Sequence, residues 1–201
     1  MPYLLRKSVL LIAALFMVAV VSKDVFAEPL IKSKYFSIYA DGGIDKVDLL
    51  KKLNAGYFLR LGAAFSEKAE HGEELDNMVA STLDAIYLEV SDILDIHMYD
   101  LNIDLEILPD RAALASILKP YIGGKTVDMP SFYYYDKNRI YISLADLNSG
   151  MLGHEIGHAI VTHYFVVPPP AKLQEVLSGY VEYSIRKHAK DMTTTKNITG
   201  L

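Results

Sequence analysis

The 201-residue chain has no cysteine, which excludes disulfides, thiolate metal sites and a lipid attached through sulfur. Packing alone must therefore hold the fold. Basic charge is also sparse: 20 Lys and Arg stand against 25 Asp and Glu, a formal net of −5. The one dense basic cluster, Arg186-Lys187-His188 with Lys190, falls near the C-terminus of an expected helix, where it complements the dipole. No nucleic-acid partner is expected. The apolar run Val9 to Val21 spans about a dozen residues, short of the roughly 20 that a helix needs to cross a bilayer. No internal repeat, low-complexity tract or interdomain linker interrupts the remainder, so one domain is expected.

Residues 1–27 differ in character from the rest of the chain. Arg6 and Lys7 precede the apolar run, and Val25-Phe26-Ala27 resembles a small-residue cleavage site, the layout of a secretory signal peptide. Cleavage after Ala27 removes Arg6, Lys7 and Lys23 against Asp24, taking the net charge from −5 to about −7. An exported domain over 28–190, periplasmic or extracellular, is the expectation, with a flexible polar tail at 191–201. A retained N-terminal anchor is the alternative, and the only route by which a membrane would enter.

Hydrophobic periodicity supplies the elements. Tyr35 to Ala40 reads as a strand stopping at Asp41-Gly42-Gly43, and Ile44 to Leu53 as a helix. Gly56 to Gly62 leans towards a strand, and Glu67 to Glu74, with Gly72, towards a loop. Leu75 to Leu94 repeats apolar residues at three and four, predicting a long helix. Asn102 to Leu108 alternates as a half-buried strand, and Asp110 caps a short helix over Arg111 to Leu118. Ser131 to Tyr135 and Arg139 to Leu144 form a hairpin around Asp136-Lys137-Asn138. A helix from Asn148 or Ser149 runs to about Phe165, Pro168-Pro169-Pro170 ends it, and a last helix occupies Ala171 to about Lys187. The fold class is α+β, a small mixed sheet packed against helices.

His154-Glu155-Ile156-Gly157-His158 carries the chemistry. On a helix the two imidazoles lie about 40° apart and face one ion, and the neighbouring carboxylate is placed to act as general base on a metal-activated water. Two imidazoles make an open site, so a third ligand is needed. His163 lies about 140° around the helix from His158 and faces away. Glu175 suits the role if the triple proline reverses the chain and the next helix returns antiparallel; Glu182, two turns along the same face, is the other candidate. Ile156, Ala159 and Ile160 should be core. Gly153 and Gly157 each cost a helix about 1 kcal/mol against Ala, which implies close approach by a strand, a substrate or a neighbouring helix. Tyr180 and Tyr183 are possible oxyanion donors, with an interface or core role as the plainer reading. His71, His97 and His188 receive no role.

With the pentapeptide, the hairpin before it and the glutamate after it, the chain resembles the gluzincins, the H-E-x-x-H zinc peptidases (peptidase MA-like) whose third ligand is a Glu on a later helix. The resemblance covers roughly Ser131 to Lys187. It implies a zincin-like fold, one Zn2+ per chain, His154, His158 and Glu175 as ligands, Glu155 as base, and a peptide or protein substrate. It also implies that Ile140, Tyr141, Ile142 and Ser143, as an edge strand, bind the substrate backbone by strand addition. Leu173 to Tyr180 is similar to the family's Asn-Glu-Gly-x-Ala-Glu-Tyr type of sequence, with Val176 for its Gly and Gly179 where many members carry an acid. A non-catalytic peptide- or protein-binding module on the same fold is the alternative function.

Overall fold

The computed structural model describes residues 28–40, 44–54, 71–120, 124 and 128–199, with the backbone alone at 71–73 and 191–199. The expected leader, the turn at Asp41-Gly42-Gly43 and the Gly56 to Gly62 segment lie outside the described residues. Among the described residues, five strands form one mixed sheet: β1 (Ile31–Lys32), β2 (Phe36–Ala40), β3 (Ile103–Leu108), β4 (Ser131–Tyr134) and β5 (Arg139–Ser143). Their spatial order is β1-β2-β3-β5-β4. The inner three run parallel, and β1 and β4 close the two edges antiparallel. The described helices that accompany them are α1 (Lys46–Lys52), α2 (His71–Leu94), α3 (Arg111–Leu118), α4 (Ser149–Tyr164) and α5 (Ala171–Thr199). The architecture is α+β, as the periodicity implies.

Alternation along the strands divides the apolar residues between two faces. Ile103, Leu105, Ile140 and Ile142 join the main core with Val79, Leu83, Ile86, Ile156 and Ile160 from α2 and α4. On the opposite face Leu108 and Tyr141 pack with Leu114 and Leu118 of α3. Polar residues of that face pair among themselves, Arg139 bridging Asp104 at 2.7 Å and Glu106 at 2.9 Å. Asp110 caps α3 by accepting from the Ala113 N–H, and Asn148 caps α4 through the Met151 N–H. Both helices thus begin where a short polar side chain can satisfy a free amide.

Three expectations need correction. Ile140 to Ser143 is not an edge: β5 is paired to β3 on one side and β4 on the other, so its backbone groups are committed and those four residues cannot take a substrate strand. All four are buried, as a strand covered on both faces requires. Among the described residues, the outer strand on that side is β4. Helix α2 starts at His71 and includes Gly72, since a first helical turn has unpaired amides in any case and tolerates glycine. Helix α5 continues to Thr199, past the expected end near Lys187 and through much of the presumed tail; no Gly or Pro occurs between Tyr180 and Gly200 to stop it. Strand β1, with two residues, is too short to show a hydrophobic period in the sequence.

Candidate metal centre

Helices α4 and α5 run antiparallel, because rising numbers on one meet falling numbers on the other. A Cβ at Gly150 would strike Arg186, one at Gly153 would strike Ile185, and one at Gly157 would stand 3.2 Å from Ser178 Oγ and 3.4 Å from its Cα. The glycines therefore serve close packing of the neighbouring helix rather than a strand or substrate. Pro168-Pro169-Pro170 forces the reversal, and Gln174 Nε2 ties the new helix to it by donating to the Pro169 carbonyl at 2.7 Å. Ile156, Ala159 and Ile160 are fully buried, leaving His154, Glu155 and His158 on the side that opens to a cleft of about 560 Å³.

The close approach brings Glu175 onto the two imidazoles. His154 Nε2 and His158 Nε2 lie 3.1 Å apart, and Glu175 places Oε2 3.6 Å from the first and Oε1 3.5 Å from the second. Ligands about 2.0–2.1 Å from a tetrahedral ion sit roughly 3.3 Å from one another, so these separations match the edges of such a site. His154, His158 and Glu175 form a group that could hold a metal ion, and their nitrogen and oxygen donors fit a borderline cation. Glu175 is the most exposed of the three and closes the site from the solvent side. Glu182 is nearby but on the other ring nitrogen, its Oε2 3.4 Å from His154 Nδ1.

Glu155 is buried beside this group. Ser131 of β4 donates its hydroxyl to Glu155 Oε1 at 2.6 Å, and the Tyr133 backbone N–H donates as well. Burial raises the Glu155 pKa above the ordinary carboxylate value, against the lowering pull of the Ser131 bond and of His154. At His158 burial acts in the opposite sense and lowers the imidazole's pKa, with the neighbouring His154 adding to the effect and Glu175 opposing it. Both shifts keep the side chains neutral for longer than in water: a carboxyl that retains its proton and an imidazole that retains its lone pair.

The remaining candidates separate cleanly. His163 faces away, bonded to the Ala159 carbonyl at 3.0 Å and to Tyr133 Oη at 3.2 Å. Tyr180 and Tyr183 stand exposed on α5, neither core nor lining the cleft. The tyrosines that do line it are Tyr133 and Tyr135. Ser131 and Gln174 also line it, and no sequence signal marked either one: a serine opening a strand and a glutamine in a first helical turn are ordinary.

No family model matches this chain, and neither a curated protein nor a solved structure gives a match. What can be said of function therefore rests on the site. Among the described residues, no helix is long and apolar enough to cross a membrane.

Proposed function

We propose that the chain is a zinc-dependent peptidase of zincin-like fold that hydrolyses peptide bonds of an exported or extracellular substrate. The observation that carries this reading is the convergence of two imidazole Nε2 atoms 3.1 Å apart with a carboxylate at 3.5 and 3.6 Å, with a buried acid on the adjoining residue. His154, His158 and Glu175 would hold the ion. Zinc, when bound in such a site, polarises the scissile carbonyl and acidifies water near neutral pH.

Glu155 takes the proton of the attacking water and delivers it to the departing amine. Ser131 and the Tyr133 amide hold the carboxylate in one orientation. Substrate alignment passes from β5 to β4, the outer strand among the described residues, which borders the cleft through Ser131, Phe132 and Tyr133; an extended peptide would add along the part of that edge not taken by the Tyr133 amide's bond to Glu155.

The test is hydrolysis of a mixed-peptide library by the zinc-loaded protein. Cleavage that disappears in Glu155→Gln while the ion stays bound supports the peptidase. Peptide capture by both forms without cleavage assigns the chain to the binding-module class instead.

A further inference from the structure

A histidine that offers Nε2 to a cation must carry its proton on Nδ1, and the tautomer is held only if that N–H has an acceptor. His154 Nδ1 is buried and lacks a hydrogen-bond partner. Residue 179, where the gluzincin resemblance would put an acid, cannot provide one: it is glycine, and a Cβ built there meets nothing within 4 Å. It faces open space. We propose that Glu182, clamped by Arg186, replaces it as the positioning residue that fixes His154 for metal binding.

Four residues on two helices form the device. Gly150 and His154 are one turn apart on α4, and Glu182 and Arg186 one turn apart on α5. Glu182 Oε2 stands 3.4 Å from His154 Nδ1, a few tenths of an ångström beyond an ordinary N–H···O bond. Its Oε1 is held by Arg186 Nη2 at 2.6 Å. The Arg186 arm in turn lies against Gly150, where a Cβ would come within 2.8 Å of both Cγ and Nε. The absence of a side chain at 150 thus makes room for the arginine that orients the carboxylate facing the ligand. Glu182 addresses Nδ1 while Glu175 addresses Nε2, so the two acids of one helix have distinct roles: one binds the ion and the other sets the ring. Arg186 also offsets the second negative charge beside the site.

The inference rests on His154, His158 and Glu175 holding a metal, and its test is chosen to fail separately. Zinc affinity of the full chain is measured by competition with a chromophoric chelator, and the His154 tautomer is read by 15N NMR in the zinc-free protein. Glu182→Met weakens zinc binding about 10- to 100-fold and converts His154 from the Nδ1–H form to a tautomer mixture. Glu175→Gln also loses zinc but leaves His154 as Nδ1–H. Gly150→Ala displaces the Arg186 arm and weakens zinc binding although no ligand is touched, while thermal stability holds or rises because alanine favours a helix over glycine. Unchanged tautomer in Glu182→Met overturns the proposal, whether or not zinc binds. Parallel loss of stability and affinity in Gly150→Ala overturns the clamp. A wild-type chain that takes no zinc sinks the peptidase reading, and the tautomer comparison then decides the role of Glu182 by itself.

Discussion

The two faces of α4 are built from opposite materials. One carries Gly153 and Gly157 and lets α5 lie almost on its backbone; the other carries His154, Glu155 and His158 and opens to the cleft. Neither works without the other, because Glu175 reaches the imidazoles only when the second helix is that close. Close packing is thus the means by which a candidate ligand remote in sequence is brought to the imidazoles. Substitutions on the packing face should change stability first, and those on the cleft face should change metal binding and chemistry while sparing the fold.

The largest separation is expected for the ligands. His158→Ala should abolish zinc binding while the zinc-free protein melts within a few degrees of wild type; isothermal titration alongside thermal melting checks both. Next is Glu155→Gln, which should lower cleavage by about 10²- to 10⁴-fold, the usual share of a general base, with zinc content unchanged. The same substitution should raise the melting temperature of the zinc-free protein near pH 7. Burial raises the Glu155 pKa, so the ionised carboxylate opposes folding above its ordinary titration range, and the gain should vanish at pH below about 4, where the acid is protonated in both states.

On the packing face, Gly157→Val pushes against Ser178, including its backbone, and should cost about 1–3 kcal/mol, read by denaturant unfolding. Zinc binding should weaken only to the extent that the helices part. If instead affinity collapses while stability holds, the division between the two faces is wrong. The smallest effect concerns pH. His158 has its pKa lowered in the folded chain, so its contribution is complete above about pH 6.5, the unfolded value, and is lost as pH falls through the depressed folded one. Stability of the zinc-free protein should decline over that acid range, and His158→Gln should flatten the decline.

Local signals were legible where a single residue decides. Asp110 and Asn148 marked two helix starts, the triple proline marked the reversal, and the pentapeptide spacing placed both imidazoles on one side. Glu175 could be read because it follows that reversal within one turn. Beyond the β4–β5 hairpin, pairing partners were not legible in the same way. Residues 140–142, all apolar, fit an interior strand as well as an edge, and only the pairing of β5 with β3 on one side and β4 on the other settles it. Ser131 reaches Glu155 across 24 positions of sequence, a distance at which periodicity carries no information.

Zinc-edge X-ray absorption of the purified chain tests the central claim most directly. The account predicts one ion per chain with two imidazole nitrogens and oxygen ligands at about 2.0–2.1 Å, reverting to free or chelator-bound zinc in His154→Ala. An ion bound by oxygens alone, or a spectrum indifferent to that substitution, would contradict it.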